Sequence, residues 1–497
     1  MKKIAMIALA ALIAAMPLAA GRAYAAEETL TLKVANWEDY IGDGIIADFE
    51  AAMTEKYNRP VHVEYSTFGT NEDLYNDLKI AGGYAYDVIC PSDYMIEKMA
   101  KEGMLKELAL PEGGSYELYM SDYIKDVFAN KIDWGTASLA DYGVCYMWGT
   151  MGYVYNPAAA SHEDMKDWTS LWDEKYKGRS TIKDSVRDSY FVGIAYAKEE
   201  ELLDLKAQYD AGLSPEDYNA ELTKIFNDTS VETVDAVEKA LSELKKNIFG
   251  FEVDSGKNDI ASGTIDINFA WSGDAVYAMD EAEAAGVELY YSVPETGSNI
   301  WFDGWCIPKD AEQVELANDF IDFMCEPEIA ARNMEYIGYT SGVSGDKAFS
   351  IEYYDEDTED LIETAEYSGI FDWMVQTYGL KTEPTEGYTA VDLSYFFGEG
   401  KTVYTDVVGR QFSAQYPDTK TTERCVVMKC FEDDVNERIN TMWENVKGVS
   451  FPIWAIVLIV AGVLLVVGAA LLIRFKDKIF KGGKGKKGVK VVSKEEI

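Results

Sequence analysis

The alternation between Leu30 and Gly103 restricts the fold more than any other part of the chain. Leu30, Leu32 and Val34 alternate with Thr31 and Lys33, which predicts a strand ending in Asn36-Trp37-Glu38-Asp39-Tyr40. A helix over about 44–57 follows, then a second alternating strand with Val61, Val63 and Tyr65. Asn71 is expected to cap a helix reaching Ile80, and residues 86–90 read as a buried strand. Pro91-Ser92 then opens a helix with Met95, Ile96 and Met99 facing inward, closed by Gly103. Strand and helix repeated three times imply an α/β fold with a doubly wound parallel sheet.

In such sheets ligands bind beyond the carboxyl ends of the strands. Those ends carry Trp37 and Tyr40, then Thr67 and Phe68, then Ser92 and Tyr94. Each has a plainer explanation: the rings as core aromatics, Ser92 as a helix N-cap. Three successive ends bearing rings and hydroxyls nevertheless read as a site. Further along, a strand at 180–182 leads into Lys183-Asp184-Ser185-Val186-Arg187-Asp188, and 265–270 delivers Trp271-Ser272-Gly273-Asp274. The run Ile300-Trp301-Phe302-Asp303-Gly304-Trp305-Cys306-Ile307-Pro308 places one carboxylate among three rings. Alone, it reads as a buried strand whose Asp is satisfied by backbone donors. Joined to the other strand ends, it reads as a socket for an organic ammonium, because ring faces attract cations and a half-dry carboxylate holds an amine. No Arg/Lys cluster is evident at the strand ends, which argues against an anionic ligand.

The chain of 497 residues is too long for one core, so two or more domains are expected. Its formal charge is −42. Setting aside both termini leaves 33 basic and 84 acidic side chains, about −51. A surface this acidic repels nucleic acid and favours cations. Residues 1–25 have Lys2-Lys3, an apolar run and Ala23-Tyr24-Ala25, the pattern of a secretory signal peptide. Residues 452–473 form an uncharged run of about 33 Å as helix, long enough to span a bilayer. Trp454 suits one interface, and the Lys/Arg-rich 474–497 suits a cytoplasmic tail. The expected topology is a single-pass anchor with the binding region outside the cell.

Between these ends, 26–148 is expected to form one lobe, with 299–340 returning to it. Residues 149–298 and 341–449 are expected to form a second. The run at 152–157 reads as an extended crossover between them, and 199–249 as charged amphipathic helices. Residues 345–420 are acidic and tyrosine-rich without a clean period, and read as an insertion. Six cysteines would permit disulfides, though Cys90, Cys145 and Cys306 sit in apolar runs that suit buried thiols. Only His62 and His162 are present, remote from the strand-end set. No catalytic residues, metal spacing or cofactor motif can be named.

At this point the motifs resemble a family. Asn36-Trp37-Glu38-Asp39-Tyr40, Pro91-Ser92-Asp93-Tyr94, Tyr146-Met147-Trp148-Gly149-Thr150, Asp184-Ser185-Val186-Arg187-Asp188, Trp271-Ser272-Gly273, Trp301-Phe302-Asp303 and Ile337-Gly338-Tyr339 occur in the order and spacing of polyamine-binding receptors of ABC importers. The resemblance spans about residues 30–340 and resumes near Tyr416-Pro417-Asp418. It implies a two-lobed periplasmic-binding-protein fold closing on a polyamine, a non-enzymatic role, and permease and ATPase partners for a monomeric receptor. It further implies that Trp37, Tyr40, Trp271, Trp301 and Tyr339 form an aromatic box. Asp303 would be the main carboxylate, Asp188 a second, and Ser92 and Tyr94 hydroxyl partners. Ser185 stands where spermidine-preferring members have an acid, and Glu38 where a small hydroxyl residue is usual. Asp274 resembles an acidic position of putrescine-preferring members, and a late Gln has no counterpart near 427–431. The choice of polyamine is therefore left open. So are a receptor for another small cationic or neutral solute, and a ligand sensor without transport.

Overall fold

The computed structural model describes residues 29–132, 137–354 and 361–448. The expected signal peptide, membrane helix and basic tail lie outside the described residues. Among the described residues, no helix is long and apolar enough to cross a membrane. The chain divides into two compact units, Met1–Asn440 and Thr441–Ile497. Within its described part, the second unit holds only the end of the helix Asp433–Lys447.

The early alternation folds as expected: β1 (Leu30–Trp37), α1 (Ile45–Tyr57), β2 (Val61–Phe68), α2 (Asn71–Ala81), β3 (Val88–Ile89) and α3 (Asp93–Lys101). β2 and β3 both pair parallel with β1. The expected cap of α2 is off by one residue. Thr70 is the N-cap and its hydroxyl accepts from the Asp73 N–H at 3.0 Å, which frees Asn71 for another role.

The chain then enters β4 (Gly143–Tyr155), thirteen residues buried throughout. The crossover expected at 152–157 is the end of this longer strand. A second parallel group follows, formed by β5 (Ser180–Lys183), α4 (Val186–Ala197), three helices between 199 and 244, β6 (Gly250–Glu252), β7 (Ile267–Trp271) and α5 (Ser272–Ala284). β8 (Tyr290–Ser292) and β9 (Ser298–Cys306) bring the chain back, followed by α6 (Val314–Phe323), α7 (Pro327–Ile337) and β10 (Thr340–Ser341).

The sheet is mixed where a purely parallel one was expected. Its order is β2-β1-β3-β9-β4-β7-β5-β6, and β4 and β9 run antiparallel to the strands beside them on this path. The first half of β4 pairs with β9 and β10, and the second half with β7 and β8. One strand therefore runs through both α/β halves. The described residues of 345–420 include two antiparallel strand pairs, Phe349–Tyr354 with Leu361–Tyr367 and Thr389–Asp392 with Thr402–Thr405. All six cysteines are free thiols, and five are buried.

Candidate functional site

Asp303 sits in β9, buried, at the junction between the two sheet halves. Its Oδ2 accepts from the Tyr40 hydroxyl at 2.9 Å and its Oδ1 from Ser92 Oγ at 2.7 Å. The donors are side chains from two other strand ends, not the backbone groups that a plain buried strand would use. Ser92 stands at the N-cap position of α3 but makes no cap bond. Asn71 holds it instead, its Oδ1 accepting from the Ser92 N–H and its Nδ2 donating to Ser92 Oγ, both at 3.0 Å. Burial pushes Asp303 up to about 6, with the Ser92 and Tyr40 bonds pulling the other way.

Tyr40 owes its place to local backbone chemistry. Buried Asn36 donates to the Tyr40 carbonyl at 2.9 Å and accepts from the Trp37 N–H, while Asp39 takes a left-handed φ of 52° to turn the chain. A bulge in β4 opposite Asp303 leaves Tyr146 unpaired. Its hydroxyl donates toward the Tyr40 carbonyl and Asn333 Oδ1.

Tyr339 follows α7 and meets the far sheet half. Its ring lies edge-on to both Tyr40 and Trp301, at 5.6 and 5.2 Å between centroids. Its hydroxyl donates to Asp274 Oδ1 at 3.0 Å, at the start of α5. Glycines make this approach possible. A Cβ on Gly273 would stand 2.3 Å from the Tyr339 ring, and one on Gly149 would stand 2.7 Å from the Trp301 ring.

On the far side, Asp274 is already paired. Lys183, at the end of β5 and 1% exposed, donates to Asp274 Oδ2 at 2.8 Å and stands 3.2 Å from Glu252. Its ammonium lies 4.3 Å from the Trp271 ring centroid and donates to the Val253 carbonyl. Burial lowers the Lys183 pKa, but Asp274 and Glu252 outweigh this and hold it above the usual lysine value. Asp188 is buried on α4, where burial raises its carboxyl; a Ser185 bond, Lys183, Arg187 and a Trp271 bond oppose that rise. The Arg187 guanidinium stacks on Tyr94 at 4.5 Å and on Phe431 at 3.7 Å, and donates to the Lys429 carbonyl.

Of the ten residues singled out from the sequence, Tyr40, Ser92, Asp303, Trp301, Tyr339 and Asp274 form one connected set. Trp271 and Asp188 adjoin it through Lys183 and each other. Tyr94 meets Arg187, with its hydroxyl directed to Glu72. Trp37 packs on Phe68 at 4.7 Å, at the rim of the set. The reading that no Arg/Lys cluster stands at the strand ends overlooked two buried cations there, Lys183 and Arg187. Asp93 was also missed. It accepts from the Tyr94 and Phe302 N–H groups, and burial pushes it up to about 8, with those bonds and Arg187 pulling the other way. A Pro-Ser-Asp at a helix start could have pointed to it. Nothing in the local sequence marks Lys183 as buried.

Residues 44–348 match the family described as bacterial extracellular solute-binding protein. The spermidine/putrescine-binding periplasmic protein of Escherichia coli is 27% identical over 349 residues, covering 70% of this chain and 88% of that protein. The putrescine-binding periplasmic protein SpuD of Pseudomonas aeruginosa is 28% identical over 327 residues, 65% of this chain and 81% of its own length. Among solved structures, a spermidine/putrescine ABC transporter substrate-binding protein of Streptococcus pneumoniae superposes with a TM-score of 0.54 at 24% identity, over 84% of this chain and 98% of that one.

Proposed function

The chain belongs to the bacterial extracellular solute-binding proteins, and we propose that it is a polyamine receptor that hands its ligand to an ABC permease. The observation that carries this reading is the Asp303 carboxylate, buried among Tyr40, Trp301 and Tyr339 with its oxygens held by hydroxyls alone. A hydroxyl donor orients a carboxylate without neutralising it, so the charge remains for an incoming ammonium. Rings on either side add roughly 0.5–2 kcal/mol each for a desolvated cation. Asp188 is the second carboxylate of this reading, and Trp37, Tyr94 and Trp271 line the remainder. The named polyamine binders among the relatives support it.

The lobes of this reading are 26–148 with 299–340, and 149–298 with 341–449, hinged through β4 and β9. Export by residues 1–25 and anchoring by 452–473 would hold the receptor beside its permease, raising the effective concentration of the pair.

A second reading has one observation in its favour. The indole N–H groups of Trp37 and Trp301 are buried and lack acceptors among the described residues. They would suit a hydroxylated neutral solute. Calorimetric titration with putrescine, spermidine and 1,4-butanediol separates the two. Micromolar or tighter binding of an amine, with no heat from the diol, is the expected result; binding of the diol alone would reverse the assignment.

A further inference from the structure

Lys183 is the group that the ligand reading leaves unexplained. A wholly buried lysine is rare because desolvating an ammonium is costly unless partners surround it. Here they do, with Asp274, Glu252 and the Val253 carbonyl as acceptors and the Trp271 face at 4.3 Å. Carboxylates, a carbonyl and an indole face are also what a ligand ammonium would seek in such a cleft. We infer that Lys183 is a resident ammonium that fills the subsite between Trp271 and Asp274, so the pocket is matched to a linear diamine and selects against a triamine. The inference rests on the polyamine reading.

Charge matching leads to the same place. Four buried carboxylates, Asp188, Asp274, Asp303 and Glu252, surround the strand ends. Two buried cations, Lys183 and Arg187, stand among them. A fifth carboxylate, Asp93, is held by the Tyr94 and Phe302 N–H groups. Asp274 and Glu252 pair with Lys183, whereas Asp303 and Asp188 form no ion pair among the described residues. A dication offers one ammonium to each of those two carboxylates. A third ammonium would meet Lys183 at the Trp271 face, and an unpaired buried charge is strongly unfavourable.

The test is titration of the full-length wild-type protein, Lys183→Met and Asp274→Asn with putrescine and spermidine, beside Asp303→Asn. Wild type is expected to prefer putrescine. Lys183→Met frees Asp274 and should move the putrescine-to-spermidine affinity ratio toward spermidine by at least tenfold. Asp274→Asn keeps the Tyr339 acceptor and should lower putrescine affinity at least tenfold less than Asp303→Asn does, since Asp274 serves Lys183 and not the ligand. A wild-type preference for spermidine overturns the inference even if Lys183→Met does not fold. So does an unchanged ratio in Lys183→Met, or a loss in Asp274→Asn equal to that in Asp303→Asn. Absence of all polyamine binding in wild type is a different failure, that of the polyamine reading itself.

Discussion

Lowering the pH from 7 to 5 should weaken putrescine binding about tenfold, and the reason lies in Asp303. In the free protein its carboxyl is pushed by burial to about 6. A bound ammonium favours the ionised form, so its pKa falls in the complex and binding below pH 6 releases a proton. Affinity then follows the ionised fraction of the free protein, about nine-tenths at pH 7 and about one-tenth at pH 5 for a pKa near 6. That ratio is about 1.4 kcal/mol. The ligand does not confuse the comparison, because alkyl amines near pKa 10 stay protonated across the window. Asp188, also raised by burial, acts in the same direction. The assay is calorimetry at both pH values in two buffers of different ionisation heat, which gives the affinity and the protons released. Close to one proton should leave per ligand at pH 5, and far fewer at pH 7. Equal affinities at the two pH values, with no proton release, would refute the argument.

Two further outcomes rest on the same geometry. Asp303→Asn should raise the melting temperature of the ligand-free protein at pH 7 while abolishing binding. A buried acid raised from 3.8 to about 6 makes the folded state lose stability as pH rises through that window, by up to about 3 kcal/mol above it; an unchanged or lower melting temperature would contradict the burial cost. Gly273→Ala places a methyl 2.3 Å from the Tyr339 ring, which must swing from Asp274 and from Trp301. Putrescine affinity should drop at least tenfold with a changed near-ultraviolet dichroism, and retention of both would show that the ring is not held there.

The sequence made β1 and β2 legible because their faces differ in burial, so polar and apolar residues alternate. β4 hid from the same reading. Both of its faces are covered, and a strand buried throughout shows no period. The aromatic-acid run at Asp303 announced itself by composition, yet its partners did not. Ser92 satisfies the pattern of a helix cap, and only the fold shows its hydroxyl turned to Asp303 while Asn71 holds it from behind. Lys183 and Arg187 fell in a run read for its acidic groups just past a strand. Their burial depends on Asp274, Glu252 and Phe431, which lie far away in sequence. The described part of 345–420 gave no period because its strands and helices are short, but it backs the site. Tyr378 donates to Gln415, whose amide holds the Gly338 carbonyl at 2.8 Å beneath Tyr339.

The most direct measurement is a crystal structure of the putrescine complex. One primary ammonium should lie within about 3.2 Å of the Asp303 carboxylate, with the carbon chain against Trp301 and Tyr339 and Lys183 still paired with Asp274. A ligand bound elsewhere, or one in this cleft whose ammonium groups make no contact with Asp303, would contradict it.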